Sequence, residues 1–248
     1  MKAIILAAGR GSRLGERTKD RPKCMCTLQG RTLLDRCLEV LEQAGIARKE
    51  IGIVTGYRSD MFTVPGVTYF HNEIWEQTNM FYSLTMADSC LKNEPCLVCY
   101  SDVVFSPSAI RALADSAAPL AITSYSGYWE LWELWEKRMG NPLEDLGTFR
   151  TDAAGRLLEI GKKTKVRTDI QGQFMGLLRF TPESWEWVEK TIQEPLSKPL
   201  NKLDMTTLLQ ELLQRDYPIQ AISTDELWLE CDSEHDIEIY ERYFGEKL

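Results

Sequence analysis

Short apolar runs alternate with amphipathic stretches along most of the chain. Residues 2–8 form an apolar run long enough for one buried strand. Residues 33–44 then carry leucines at helical spacing, Gly45 ends that pattern, and residues 51–55 form a second apolar run. Strand, helix and strand in this order are typical of a βαβ unit, so the pattern predicts an α/β protein with a parallel sheet.

The alternation continues to the C-terminus. Further strands are predicted at residues 67–70, 97–100, 120–124, 174–180, 219–222 and 228–230, and the last two are expected to close the sheet. Helices are predicted at residues 83–91 and 110–117, after a Thr181 cap, from an Asp204 cap to residue 213, and at residues 236–244.

The segment from residue 125 to residue 175 differs in character from the rest. It opens with an aromatic and charged stretch and continues through a loop to a predicted hairpin of residues 149–151 and 157–160. No linker or repeat marks a domain boundary. We therefore expect a single domain over residues 1–248, in which residues 125–175 form an insertion or lid over a cleft.

Composition narrows the class of protein. The 248 residues are 44% hydrophobic with a net charge of −8, which suits a substantial core and argues against a general nucleic-acid or anionic-membrane surface. We find neither a transmembrane stretch nor a signal peptide, and seven cysteines suit reduced thiols, so we expect a cytoplasmic protein. Cys96 and Cys99 are interpreted as buried strand residues, and two histidines poorly supply a zinc site or a catalytic triad.

A glycine-rich loop follows the first predicted strand. Gly9 and Gly11 permit positive φ and a close approach to a ligand, and a turn of this kind cradles phosphates with its N–H groups. The planar guanidinium of Arg13 and the ammonium group of Lys23 are both suited to bind an anion. The loop lacks the lysine of a P-loop and the third glycine of a dinucleotide fingerprint. A plain glycine turn among surface cations is the alternative interpretation.

Two aspartates follow predicted strands. Asp102 comes after residues 97–100, and Asp232 comes after residues 228–230. Ligands of open α/β sheets bind beyond the carboxyl ends of strands, where Mg²⁺ takes one or two carboxylates plus phosphate oxygens. Both aspartates are therefore candidate magnesium ligands. A simple turn or helix cap is the alternative for each, and Glu230 and Asp236 are rival ligands to Asp232.

These motifs together resemble those of a known enzyme class. The string LAAG-x-G-[ST]-R-[LM] at residues 6–14, followed by Pro22-Lys23, is similar to the signature of nucleotidyltransferases that join a nucleoside triphosphate to a phosphorylated small molecule. Asp102, the Gly161-Lys162-Lys163 segment and Trp-x-Glu-x-Asp-Ser at residues 228–233 look like those of cytidylyltransferases acting on phosphocholine and on phosphonates. The phosphonate branch is most similar in five further stretches, at residues 72–73, 78–80, 141–145, 173–177 and 203–206.

The resemblance covers nearly the whole chain and implies both a fold and an activity. The fold is a Rossmann-like, three-layer nucleotidyltransferase fold with a mixed, mostly parallel central sheet. The expected reaction is Mg²⁺-dependent transfer of CMP from CTP to a small phosphonate, such as 2-aminoethylphosphonate or 2-hydroxyethylphosphonate, with release of pyrophosphate. Phosphocholine and a sugar 1-phosphate are alternative acceptors, and a catalytically silent nucleotide-binding subunit is the alternative from another class.

The resemblance also implies roles by position. The residues expected to bind the nucleotide are Leu6, Ala8, Gly9, Gly11, Gln77, Asn79 and Ser83. Lys23 and Arg13 are expected to neutralise the phosphates, and Lys162 to face the phosphate or phosphonate of the acceptor. Asp102 and Asp232 are expected to hold Mg²⁺. An anionic acceptor needs no strong general base, so charge neutralisation and alignment suffice for this chemistry.

An aromatic stripe occupies the start of the insertion. Trp129, Trp132 and Trp135 recur every three residues, which keeps them near one helical face. The stripe predicts either an aromatic wall for a cationic head group or a packed lid helix or homodimer face, and packing is the preferred interpretation. Trp129 and Asp145 are carried as candidate contacts to the acceptor, with Asp145 as a partner for an amine.

Overall fold

The computed structural model describes residues 1–127 and 132–245. The strands are β1 Lys2–Ala7, β2 Thr27–Leu28, β3 Arg31–Thr32, β4 Ile51–Thr55, β5 Thr68–His71, β6 Cys96–Tyr100, β7 Val103–Val104, β8 Leu120–Tyr125, β9 Gly147–Thr151, β10 Leu157–Lys163, β11 Gln173–Phe180, β12 Gln220–Thr224 and β13 Leu229–Glu230. The helices are α1 Leu33–Gln43, α2 Met80–Thr85, α3 Asp88–Leu91, α4 Pro107–Ala114, α5 Trp132–Met139, α6 Pro142–Asp145, α7 Pro182–Ile192, α8 Met205–Leu213 and α9 Glu234–Phe244.

Seven of these strands form the central sheet, in the order β12-β8-β11-β6-β1-β4-β5. β1 pairs in parallel with β4 and β6, β4 with β5, and β12 with β8, whereas β11 runs antiparallel to both of its neighbours. The sheet is therefore mixed and mostly parallel, as predicted.

Alternate side chains of β1 divide the core into two layers. Ala3 and Ile5 belong to a buried cluster with α1 and α4, whereas Ile4 and Leu6 belong to a second cluster with α2, α7 and α8. Because successive side chains of a strand point to opposite faces, helices cover both faces of the sheet. The three-layer prediction is confirmed.

Local capping chemistry starts α7 and α8 where the sequence predicts. The Thr181 side chain accepts from the Ser184 N–H in a reciprocal capping box at the start of α7. Asp204 Oδ1 accepts from the Thr207 N–H at 2.7 Å and starts α8. α9 starts two residues earlier than predicted, because Ser233 is its cap and Asp236 lies inside the helix. α4 likewise starts at Pro107, after a Ser106 cap.

Two predicted elements differ from the observed ones. The helix predicted at residues 83–91 is two short helices, α2 and α3, because Ala87 leaves helical backbone geometry at φ −98° and ψ 19°. The strand predicted at residues 228–230 does not close the central sheet. It is the two-residue strand β13, which pairs with β7 in a separate antiparallel ribbon.

The segment between β8 and β11 packs on the main body. Its hairpin of β9 and β10 is confirmed, and side chains along it, including Trp135, Leu146 and Ile160, are buried. Residues 128–131, which include Trp129, lie outside the described residues. The role of this segment as a lid stays a prediction. Among the helices in the described part of the chain, none has the length and apolarity needed to cross a bilayer.

Candidate active site

The glycine loop after β1 is shaped around the side chain of Lys23. Gly11 has φ 74°, and a Cβ at this position would lie 2.6–2.8 Å from the Cβ, Cγ and Cδ of Lys23. Only glycine meets both requirements, because it tolerates positive φ and leaves room for the lysine stem. Pro22 precedes the short 3-10 turn Lys23–Met25, which sets the direction of the side chain.

The ammonium group of Lys23 bridges the two aspartates. Its Nζ lies 2.5 Å from Asp102 Oδ2 and 2.6 Å from Asp232 Oδ1. All three side chains are more than four-fifths buried. Burial opposes the charge of Lys23, but the two carboxylates raise the pKa of its ammonium above the ordinary value. The structure thus brings together three predicted site residues from the beginning, the middle and the end of the chain.

The pairing of β13 with β7 positions the two carboxylates. Asp102 follows β6 in a tight turn before β7, and Asp232 follows β13. The Cys231 N–H donates to the Asp102 carbonyl at 2.9 Å, which ties the two segments together. The stretch of residues 228–230, which the sequence predicts in the central sheet, instead pairs with β7 through β13, and this pairing brings residues 102 and 232 together.

Two arginines approach Asp232 from opposite sides. Arg13 Nη2 lies 2.9 Å from Oδ1, and Arg138 Nη2 lies 3.5 Å from Oδ2. Arg138 is on α5 with a side chain only 4% exposed, and it also contacts Glu230 at 3.6 Å and Asp236 at 2.7 Å. Burial by itself would raise the pKa of Asp232, but Lys23, Arg13 and Arg138 lower it overall.

Asp236 and Glu230 have different parts in this network. Asp236 accepts from the backbone N–H groups of Asp232 and Ser233, both at 2.8 Å, so it fixes the turn that presents Asp232. Burial and the nearby Asp232 carboxylate raise the pKa of Glu230 to about 7. Glu230 lies 3.6 Å from Arg138 Nη2, so its carboxylate belongs to the same network as Asp232.

The residues present fit a magnesium ion. Asp102 Oδ1 is buried and has no hydrogen-bond partner in the described structure, so it is an acceptor that a cation would satisfy. The position between the two carboxylates already holds a positive charge, the Lys23 ammonium. Within the described ranges no cluster of three or more His, Cys, Asp and Glu side chains is suited to a metal. Two carboxylates suit Mg²⁺, which completes its shell with phosphate oxygens and water.

A cavity of about 140 Å³ opens beside the glycine loop. It is lined by Leu6, Ala8, Gly9, Trp75, Thr78, Asn79, Met80 and Ser83. The structure therefore brings together five of the predicted nucleotide-binding residues. Gln77 does not line this cavity, and its carbonyl accepts from Asn201 Nδ2 and Lys202 Nζ. Gly11 lies at the lysine instead.

A second cavity, of about 320 Å³, is lined in part by Asp232. Its lining includes Arg13, Arg138, Glu144, Asp145 and Asp232. Asp145, the predicted partner of an amine, is therefore in the same cavity as a predicted metal ligand. A neighbouring cavity of about 570 Å³ shares Asn141 and Glu144 with it and extends to Lys163, Thr164 and Lys165.

Lys162 is not at this cavity. Its ammonium pairs with Glu159, and its side chain is 57% exposed. Lys163 instead reaches α6, where its Nζ donates to the carbonyls of Glu144 at 2.7 Å and Asp145 at 3.3 Å. The acceptor-binding role of Lys162 stays a prediction, and Lys163 is the lysine that the hairpin brings to the cavity edge.

The tryptophan stripe is packed where it is described. Trp135 is 2% exposed, and its ring centroid lies 6.4 Å from that of Trp132. The Arg167 guanidinium lies 4.1 Å from the ring centroid of Trp132. A face already covered by a cation favours the packing interpretation over a wall for a ligand cation. Trp129 is outside the described residues, so its role stays a prediction.

Sequence reasoning missed three residues of the site. Arg138 ends an aromatic stretch that is interpreted as a packed helix or interface. Asn72 belongs to a stretch that is quoted only for its family resemblance, and Trp75 lies between two such stretches. Asn72 is fully buried, which makes it a polar residue that must have internal partners. The Trp-Glu-Gln-Thr-Asn sequence after it carries no periodic signal of a cavity wall.

The glycine loop, its lysine and the paired aspartates at the carboxyl edge of a mixed sheet define a nucleotidyltransferase. The chain belongs to the family of MobA-like NTP transferase domains, whose family model matches residues 3–168.

Several relatives are cytidylyltransferases. The CTP:phosphoglutamine cytidylyltransferase of Campylobacter jejuni is 32% identical over 96% of this chain and 98% of its own length. The 2-aminoethylphosphonate cytidylyltransferase of Lancefieldella rimae is 27% identical over 64% of this chain and 60% of its own length. The CTP:phosphocholine cytidylyltransferase structure from Streptococcus pneumoniae superposes with a TM-score of 0.72 at 19% identity, covering 98% of this chain and 99% of that one. That likeness shows the shared fold.

Proposed function

We propose that the protein is a Mg²⁺-dependent cytidylyltransferase that transfers CMP from CTP to a small phosphate or phosphonate and releases pyrophosphate. The observation that carries the proposal is the convergence of Lys23, Asp102 and Asp232. Asp232 lines one cavity, and Gly9, two residues before the Gly11 that packs against Lys23, lines another. The cavity at Gly9 adjoins the glycine loop, and the other is lined by two arginines and four carboxylates. A transferase of this class needs two such compartments, because two anionic substrates must meet at one phosphorus atom.

In the proposed reaction an anionic oxygen of the acceptor attacks the α-phosphorus of CTP. The bond between that phosphorus and the bridging oxygen breaks in line, and pyrophosphate leaves with the electron pair. The N–H groups of the Gly9–Gly11 loop and the side chains of Arg13 and Lys23 hold and neutralise the phosphates. Lys23 must leave the carboxylates to reach a phosphate oxygen. Mg²⁺ on Asp102 and Asp232 would supply additional neutralisation of phosphate oxygens.

The cavity beside Asp232 suits an acceptor with both an anionic and a polar or cationic end. Arg13 and Arg138 meet the anionic end, and Glu144 and Asp145 lie on the same lining. Phosphoglutamine is our first candidate, because the relative that acts on it matches 96% of this chain. 2-Aminoethylphosphonate is the second, because the relative that acts on it matches 64% of this chain.

The test is pyrophosphate release with Mg²⁺ in a grid of substrates. CTP, UTP, ATP and GTP are crossed with phosphoglutamine, 2-aminoethylphosphonate, 2-hydroxyethylphosphonate, phosphocholine and glucose 1-phosphate. We expect release with CTP and with phosphoglutamine or a phosphonate. Release only with glucose 1-phosphate would keep the class of enzyme and overturn the acceptor. CTP binding without release from any pair would point to a silent nucleotide-binding subunit.

A further inference from the structure

The cavity beside Gly9 contains a hydroxyl whose direction of hydrogen bonding is fixed by a neighbour. This inference rests on the proposed function, because it concerns how that cavity selects the base of the nucleotide. Ser83 lines the cavity and is 6% exposed. Asn72, at the end of β5, is fully buried and contacts two lining residues, Thr78 and Ser83.

The orientation of the Asn72 amide follows from one backbone contact. The Ile74 N–H lies 3.2 Å from Asn72 Oδ1. A backbone N–H can only donate, so the atom facing it must be the oxygen. Nδ2 consequently faces Thr78 Oγ1 at 2.9 Å and Ser83 Oγ at 3.0 Å. An amide NH₂ only donates, and both hydroxyls therefore accept from Asn72.

The two hydroxyl groups then differ in the acceptors available to their protons. The Thr78 hydroxyl donates to the carbonyl of Ile74 at 3.2 Å. Among the described residues, Ser83 Oγ makes a hydrogen bond only with Asn72. Its proton is left to donate into the cavity that it lines. Leaving a buried donor without an acceptor costs free energy, and a ligand that supplies an acceptor removes this cost.

We propose that Asn72 is a positioning residue for base selection, which makes Ser83 a hydrogen-bond donor to N3 of cytosine. N3 of cytosine is an acceptor, whereas N3 of uracil carries a proton and would face the Ser83 proton. A site built around such a bond rejects the wrong partner because polar groups are left unpaired. Asn72 acts through Ser83 and does not touch the base.

The first test reverses the direction of the hydrogen bond. Asn72→Asp keeps the shape of the side chain but replaces the donor with an acceptor, so the Ser83 proton turns toward residue 72 and its lone pairs face the cavity. We expect the ratio of kcat/KM for CTP over UTP to fall at least about tenfold, the size of one hydrogen bond. The ratio of Kd values for the two nucleotides, measured by calorimetry, should fall with it.

The second test removes the hydroxyl, and it covers the case in which a buried carboxylate at position 72 prevents folding. Ser83→Ala should lower the CTP over UTP ratio by a similar factor. In the double variant, which combines Asn72→Asp with Ser83→Ala, the ratio should fall no further than in Ser83→Ala alone. Asn93→Asp is the matched control, because Asn93 is exposed and its Nδ2 donates to the Ser89 carbonyl.

The ratio separates selection from structural support. Equal losses for CTP and UTP in both variants would overturn the inference, since a merely structural Asn72 weakens both nucleotides alike. An unchanged ratio in Ser83→Ala would overturn it as well. Selective CTP binding that depends on Ser83 but gives no turnover with any acceptor would support the inference and refute the proposed function. Turnover specific for CTP with the ratio intact in both variants would do the reverse.

Discussion

Beside Gly9 the cleft is lined by uncharged side chains, whereas around Lys23 and Arg138 most of its polar groups are charged. The neutral region orients its groups with short bonds such as those from Asn72. In the charged region Arg13, Lys23 and Arg138 all contact the carboxylate of Asp232. Neutral groups of fixed polarity suit selection of a base. Exchangeable charges suit a site where phosphates enter and leave.

The contrast predicts that losses of rate concentrate in the charged region. Lys23→Met should lower kcat/KM by about 10²–10³-fold, the range typical of a group that neutralises transition-state charge. Pyrophosphate release measures the rate, and circular dichroism checks the fold. Lys19→Met is the control, because the Lys19 side chain is 70% exposed and pairs with the exposed Glu16. Comparable turnover in Lys23→Met and the control would break the assignment of the charged region.

The same region should respond to the loss of one buried carboxylate. Asp102→Asn should reduce kcat/KM at least ~10–100-fold and raise the Mg²⁺ concentration needed for half-maximal rate, because the unpartnered Oδ1 is replaced or neutralised. Titration of Mn²⁺ by electron paramagnetic resonance gives a readout of cation binding without turnover. Asp115→Asn, at the exposed end of α4, is the control. Unaltered Mn²⁺ binding in Asp102→Asn would remove this residue from the cation site.

Replacing Arg138 tests whether its buried ion pairs stabilise the charged region. Arg138→Met leaves Asp236 without its buried cation and removes one of the three cations that contact Asp232, and we expect a loss of about 3–5 kcal/mol in the free energy of unfolding. Urea denaturation measures it. Arg31→Met, at an arginine that is 49% exposed and pairs with Glu39, should cost less than about 1 kcal/mol. Similar costs in the two variants would show that Arg138 contributes no more than a surface residue.

The smallest expected effect is on stability, at the N-terminal cap of α8, a helix that packs against β10. Burial disfavours the charge of Asp204, but bonds from Lys198 and Thr207 lower its pKa from 3.8 to about 2. A lowered pKa stabilises the fold above pH 3.8, and this stabilisation is lost as pH falls to about 2. Asp204→Asn, which retains a capping side chain, should therefore be less stable than the wild type near neutral pH by up to about 1 kcal/mol.

Chemical denaturation at pH 5 and at pH 2.5 checks this prediction. The difference between wild type and Asp204→Asn should be present at the higher pH and shrink at the lower one. Asp60→Asn, at a surface aspartate that lies 3.4 Å from Arg58, should show no such trend. A difference that is constant with pH would mean that the carboxylate charge has no part in the cap.

The local features of this molecule were predictable from sequence. The glycine loop, the helix caps at Thr181 and Asp204, and the strand-end aspartates are set by neighbouring residues, and the structure has them in those places. The network of Arg138 was not predictable, because its contact with Asp236 joins residues 98 positions apart with no local pattern. β13 was misassigned for a related reason, since a two-residue strand carries no usable periodicity.

The case of Lys162 and Lys163 shows a different limit. An irregularity in the pairing of β10 with β9 falls between Ile160 and Lys163, and Gly161 within it has φ 79°. A bulge of this kind changes which side chains face which side of a hairpin. The sequence therefore does not determine which of the two adjacent lysines faces α6, and the structure identifies it as Lys163.

The ribbon of β7 and β13 has a consequence for how the protein is made. Its first strand lies near residue 103 and its second near residue 230, so the ribosome must synthesise the chain through residue 230 before the ribbon can form. Until then Lys23 can pair with Asp102 but has no Asp232 to bridge to. The nascent chain can acquire its glycine loop and the start of its sheet early. Its two carboxylates can meet at Lys23 only after residue 232 has been synthesised, so a shorter nascent chain carries Asp102 without its partner.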